Sequence, residues 1–146
     1  MTISDTGTET LCVQSKANPL ISIVDDDESV REAVAGLMNW LGFEVQTFTS
    51  AVEFLASPRV ADSSCVITDV QMPHMTGIEL HKRLTELGHA IPTILITAYP
   101  SEAARERALA DGAVCYLSKP FDKDALIECV RSALDTQGRQ APPSRE

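Results

Sequence analysis

Leu20-Ile21-Ser22-Ile23-Val24-Asp25-Asp26-Asp27-Glu28 decides how this chain is read, because a short apolar strand pattern runs straight into a row of acids. In an open parallel sheet, ligands collect in the crevice beyond the carboxyl ends of the strands. Carboxylates crowded there repel one another unless a hard divalent cation joins them, so the pattern asks for magnesium, or manganese in its place. The acids lead into a helix from about Glu28 to Trp40, with Val30, Val34, Leu37, Met38 and Leu41 on one apolar face and Gly42 as its stop.

Outward from this unit, short apolar runs keep alternating with helical patterns, which predicts an α/β fold with a parallel sheet and crossover helices on both faces. The further strands are Glu44 to Phe48, Cys65 to Thr68 ending on Asp69, Thr93 to Ile96 ending on Thr97, and Val114 to Leu117 just before Lys119-Pro120. Between them, Ser50 caps a short helix through Leu55, and Ile78, Leu80, Leu84 and Leu87 mark a longer one closed by Gly88. Asp122 caps the last helix, whose stripe is Leu126, Cys129, Val130, Ala133 and Leu134. The helix from about Ser101 to Ala110 offers mainly Ala103, Ala104 and Ala108 to the core; these bury little area, so it is expected to be the loosest element. Trp40 reads as the end of an apolar helix face. His74, His81 and His89 share no metal-ligand spacing and read as surface residues.

The chain has 146 residues, 44% of them hydrophobic, enough for one domain with its own core. Residues 1–18 and 136–146 have the composition of flexible tails around a globular domain at 19–135. A net charge of −9 without a basic patch argues against nucleic acid or an anionic membrane as direct partners. Nothing resembles a signal peptide or a membrane-spanning stretch, which predicts a soluble cytoplasmic protein. Cys12, Cys65, Cys115 and Cys129 form no C-x-x-C pair and have no matching histidine spacing. They are expected to be free thiols of a reducing compartment.

If the strands are parallel and the first and third are neighbours, Asp25, Asp26, Asp69, Thr97 and Lys119 converge on one edge of the sheet. Three carboxylates there suit a magnesium ion that keeps several waters and takes a phosphate oxygen. One of them can also be a nucleophile, since aspartate carboxylates accept phosphoryl groups. Such a transfer needs positioning and charge neutralisation more than proton chemistry.

Asp25-Asp26, the stretch from Asp69 to Gly77, Thr97-Ala98 and Lys119-Pro120-Phe121 together resemble the receiver domain of two-component response regulators, over about Leu20 to Leu134. The triple acidic run and the Lys-Pro-Phe ending are most similar to FixJ-like receivers. The resemblance implies a flavodoxin-like, CheY-like sheet of five parallel strands in the order 2-1-3-4-5. It further implies that a histidine kinase phosphorylates Asp69, with magnesium held by Asp25, Asp26, Asp69 and the main-chain carbonyl of Gln71. Lys119 would pair first with Asp69 and then with the phosphoryl group, Thr97 would swing inward to a phosphoryl oxygen, and Tyr116 would turn with it. That turn would reshape the surface made by the Ser101 to Ala110 helix, the fifth strand and the last helix. A downstream protein or a second copy would bind there. Such a domain is no enzyme on external substrates and catalyses only its own phosphorylation and dephosphorylation. Relatives often continue into DNA-binding or enzymatic domains, so the chain is expected to act alone through protein contacts or, alternatively, to be the receiver of a larger DNA-binding transcriptional regulator.

Each residue alone has a plainer reading. Asp27 and Glu28 suit the N-terminus of the first helix, Thr97 a strand-end hydroxyl, Tyr116 a half-buried strand aromatic and Lys119 a solvated charge. Its place before Pro120 at a strand end raises its interest, since the peptide there is cis in the family. A phosphatase or mutase forming an aspartyl phosphate would place a second Asp where Gln71 stands. A flavin-binding module would need a Ser/Thr/Gly-rich phosphate loop in place of the acids. A degenerate docking domain would lack part of the set.

Overall fold

In the computed structural model, which describes residues 19–138, the first apolar run is strand β1 (Leu20–Val24), buried at every position. Successive side chains of a strand point to opposite faces. Ile21 and Ile23 therefore enter one apolar layer, and Val24 the other. Helix α1 (Glu28–Trp40) follows, and Asp27 is its N-cap, accepting the N–H groups of Ser29 at 2.9 Å and Val30 at 3.4 Å. Val34 and Met38 of α1 are buried on the first layer.

Strand β2 (Glu44–Phe48) is the half-exposed edge, and Ser50 caps helix α2 (Ala51–Leu55), which buries Phe54 in the second layer. A short 3-10 turn (Val60–Asp62) leads to strand β3 (Cys65–Asp69), and helix α3 (Gly77–Glu86) opens with a capping box between Thr76 and Glu79. Strand β4 (Thr93–Thr97), helix α4 (Glu102–Ala110), strand β5 (Cys115–Ser118) and helix α5 (Lys123–Gly138) complete the order. All pairings are parallel, and the sheet order is β2-β1-β3-β4-β5, as the resemblance implied. β1, β3 and β4 are buried along their whole length, because helices cover both of their faces.

The first layer holds α1 and α5, where Leu126, Val130 and Ala133 meet Ile67, Ile94 and Ile96. On the other face, Leu80 and Leu84 of α3 join Phe54 and Val66. α4 lies on that same face but contributes only Ala108 to a small cluster with Val70, Leu95 and Ala113. Ala103 is exposed and Ala104 only half-buried, so α4 holds on by even less than its alanines promised. A cavity of about 160 Å³ between α3 and α4, lined by Ile78, His81, Leu95, Ala108 and Ala113, fits that loose packing.

Several local expectations need correction. Trp40 is 79% exposed, because α1 turns its Val34 and Met38 side inward and carries Trp40 off that stripe. Leu87 caps the end of α3 instead of packing, and is 56% exposed. His81 is half-buried, its Nε2 3.3 Å from the carbonyl oxygen of Asp111 at the end of α4. Burial lowers its pKa below the usual histidine range, with Asp111 opposing. α5 runs on to Gly138, past Thr136 where the composition predicts a tail, since no helix breaker intervenes before Gly138. The expected tails at 1–18 and beyond 138, with Cys12, lie outside the described residues.

The expectation of free thiols holds only for Cys65 among the described cysteines. Cys115 of β5 and Cys129 of α5 are joined as a disulfide. Their pairing comes from the packing of a strand against a helix 14 residues further along the chain, which leaves no short-range spacing to detect. No helix among the described residues is long and apolar enough to cross a membrane.

Candidate functional site

Register places the site. β1 pairs with β3 so that Val24 lies beside Thr68, and the next residues along, Asp25 and Asp69, meet at the carboxyl edge of the sheet. β4 pairs with β5 so that Thr97 lies beside Ser118, which delivers Lys119 one residue further on. Backbone bonds continue past the strand ends: Asp25 N–H donates to Phe48 at 3.1 Å, Val70 N–H to Ile96 at 2.8 Å, and Lys119 N–H to Thr97 at 2.7 Å. The chain ends that carry the functional groups are therefore fixed by the sheet itself. The Lys119-Pro120 peptide is cis.

Asp25, Asp26 and Asp69 offer carboxylate oxygens that all lie within 4.8 Å of one another. Asp25 and Asp69 are buried and Asp26 is exposed, so the cluster has a closed floor and an open lip. Lys119 Nζ lies 3.2 Å from Asp25 Oδ2 and 3.4 Å from Asp69 Oδ1. One ammonium thus faces three carboxylates, which leaves the site short of positive charge. Asp25 Oδ1 accepts the N–H of Asp27 at 2.9 Å, and the Arg31 guanidinium donates to the Asp25 carbonyl at 2.8 Å. Asp69 Oδ1 is buried and makes no hydrogen bond, with only the ion-pair contact to Lys119 before it.

The electrostatics agree. Burial pushes the Asp25 carboxyl above its usual range, against the opposing Asp27 N–H and Lys119. Burial and then the neighbouring Asp25 charge push Asp69 up as well. Burial opposes the Lys119 ammonium, but the Asp25 and Asp69 carboxylates outweigh it and hold its pKa above the ordinary lysine value. Three crowded carboxylates sharing one ammonium, with Asp25 and Asp69 both pushed up by burial, fit a hard divalent cation. Asp25, Asp26 and Asp69 are the side chains that would hold it.

The remaining expected residues sit around this centre. Thr97 is fully buried; its Oγ1 donates to Gln71 Oε1 at 2.7 Å and accepts the Tyr99 N–H at 2.9 Å. The side chain of Gln71 is thus a latch on Thr97, a link invisible in the sequence because 26 residues separate the partners. Tyr116 packs against the cluster beneath α4 and lines a hollow with Pro100, Ser101, Glu102, Arg105 and Ser118. Gly77 escaped notice as more than a loop residue. It is buried and donates its N–H to the Val70 carbonyl at 3.0 Å, so the start of α3 is laid directly on the end of β3.

Comparison with known proteins agrees with this geometry. The response regulator receiver domain family matches residues 21–131. The response regulator protein TmoT of Ectopseudomonas mendocina is 36% identical over 127 residues, which are 87% of this chain and 56% of that protein. The transcriptional regulatory protein FixJ of Azorhizobium caulinodans is 37% identical over 86% of this chain and 58% of its own length. The chain thus spans about half the length of these curated relatives. The crystal structure of FixJ-N superposes with a TM-score of 0.72 at 35% identity, covering 81% of this chain and 94% of that one. With a family match across the whole sheet and a FixJ relative alike in sequence and in fold, the chain belongs to the response regulator receiver domains and is FixJ-like among them.

Proposed function

We propose that the carboxylate of Asp69 accepts a phosphoryl group from a histidine kinase and that the α4-β5-α5 face transmits the change. The observation that carries this reading is the rim where Asp25, Asp26 and Asp69 lie within 4.8 Å with Lys119 reaching two of them. An Asp69 oxygen attacks phosphorus while the bond to the donor imidazole breaks; the N–P electron pair returns to the ring, which carries a proton on its other nitrogen and so leaves as neutral imidazole. Magnesium or manganese, when bound to Asp25, Asp26, Asp69 and the Gln71 main-chain carbonyl, supplies the positive charge that this rim lacks. Lys119 holds Asp69 oriented beforehand and pairs with the phosphoryl oxygens afterwards.

Thr97 must give up Gln71 to reach a phosphoryl oxygen, so the latch sets a cost on switching. The half-buried Tyr116 borders a hollow of about 360 Å³ at the start of α4, which gives its ring room to turn. α4 rests on one buried alanine, and so a small change beneath it shifts its preferred position. The partner at that face is a downstream protein or a second copy of the chain. This reading places the protein in the cytoplasm, with a globular unit at 19–135. The spans over TmoT and FixJ favour a second reading, in which the receiver controls a longer DNA-binding transcriptional regulator.

Two experiments test the site. Magnesium at ten times its dissociation constant should stabilise the chain by about 1.4 kcal/mol, read as a rise of about 5 °C in Tm. An unchanged Tm at millimolar metal would remove the metal from the proposal. Lys119→Ala should keep most of that metal-induced rise while weakening phosphorylation-dependent dimerisation or partner binding about tenfold, the worth of one charge-assisted contact. Full retention of the response in this variant would contradict the role given to Lys119.

A further inference from the structure

We propose that Cys115 and Cys129 are a reversible thiol–disulfide site that clamps β5 to α5. The two residues are bonded, with Cα atoms 6.2 Å apart, inside the span a disulfide accepts without backbone movement. Cys115 is half-buried on β5, which pairs only with β4 among the described strands, and Cys129 lies on the buried stripe of α5 at 8% exposure. The bond closes a ring that contains Tyr116, Lys119 and Pro120.

Cys65 supplies the contrast. It sits in the same apolar layer, fully buried and unpaired, with burial pushing its thiol up to about 12. At neutral pH it is a protonated, inert core group. A buried cysteine in this layer is therefore accommodated without a partner, and packing alone does not demand the bond between the other two.

The oxidant class is a small-molecule disulfide such as glutathione disulfide. The Cys115 thiol, the more exposed of the pair, loses its proton and attacks one sulfur of that disulfide, releasing one small thiolate and forming a mixed disulfide. The Cys129 thiol loses its proton and attacks the Cys115 sulfur, and the second small thiolate leaves. Two protein thiols and one small disulfide become one protein disulfide and two small thiols, and excess small thiol reverses both steps. In the oxidised form β5 and α5 move as one body. In the reduced form α5 can shift independently of the strand that carries Tyr116 and leads into Lys119. The thiol site stands independently of the phosphoryl chemistry, whereas its bearing on signalling rests on the reading of Asp69 given above.

The test uses the full chain in a Cys12→Ser background, equilibrated in glutathione buffers from fully reduced to fully oxidised. Thiols are then alkylated under denaturing conditions and counted by intact mass. The expected result is three tags at the reducing end and one at the oxidising end, the survivor being Cys65, with a reversible transition between. Cys115→Ser should carry two tags throughout, unless the unpaired Cys129 takes up a glutathione mass, which also marks it as reactive. The oxidised chain should melt about 10 °C above the reduced one, a shift absent from Cys115→Ser. Three tags at every ratio, or cross-linking only between separate chains, would overturn the proposal. For signalling, the two forms are labelled with acetyl phosphate, and unequal rates tie the clamp to the acceptor site. Equal rates would refute that link, and absence of label from both forms with a normal tag transition would count against the phosphoryl reading alone.

Discussion

Asp69→Asn is expected to take up no hydroxylamine-sensitive phosphoryl label from acetyl phosphate, under conditions where the native chain labels readily with magnesium present. Asn copies the shape of Asp but carries no nucleophilic carboxylate, so the loss should be complete within detection. The fold should not suffer. Asp69 is 5% exposed and belongs to a cluster in which three carboxylates face one ammonium, so removing its charge relieves repulsion. Lys119 keeps its contact with Asp25 at 3.2 Å. The metal-free Tm of this variant should therefore match or exceed that of the native chain, while the metal-induced rise shrinks. The two readings together separate a lost nucleophile from a damaged protein. Hydroxylamine-sensitive label persisting on Asp69→Asn would move the acceptor to another carboxylate and end the assignment.

Much of this was legible because the sheet is parallel and its central strands are covered on both faces. Continuous apolar runs such as Leu20–Val24 and Thr93–Thr97 then stand out, and the residue at each run's end falls on one rim. Asp25, Asp69 and Lys119 needed nothing more than strand order to be brought together. Capping residues were equally readable: Asp27, Ser50 and Asp122 each accept a backbone N–H at the start of their helices.

What stayed hidden depends on side chains meeting across elements. The Gln71 latch on Thr97, the contact of His81 with the end of α4 and the Cys115–Cys129 bond join residues from different strands, helices and loops. None follows from a periodic pattern. Trp40 was misjudged for a related reason, since a stripe names a face but not where that face stops meeting the core. Tyr116 shows the limit from the other side. Its place on the fifth strand was readable, but its packing beneath α4 depends on how little that helix buries.

Among the described glycines, Gly77→Ala should be the most damaging added methyl group. A Cβ on Gly77 would press into the carbonyl oxygen of Asp69, and would also sit 3.1 Å from that residue's carbonyl carbon and 3.2 Å from Leu95 Cδ2. The first obstacle is backbone, so no rotamer change removes it. Either α3 lifts from the sheet, stretching the 3.0 Å bond from Gly77 N–H to Val70, or the end of β3 moves and carries Asp69 with it. Overpacking together with a strained hydrogen bond gives a loss of about 3 kcal/mol, read as a fall of about 10 °C in Tm. Labelling of Asp69 and the metal-induced rise should weaken in the same variant, because the displaced atoms belong to the acceptor residue itself. Gly36→Ala is the matched control. Gly36 lies on the exposed side of α1 with nothing within 4 Å of the added carbon, so the same methyl should stabilise by up to about 1 kcal/mol through helix propensity. Opposite signs for one chemical change would locate the effect at the junction of β3 and α3. A Gly77→Ala chain that melts and labels like the native one would show that this junction does not hold Asp69 in place.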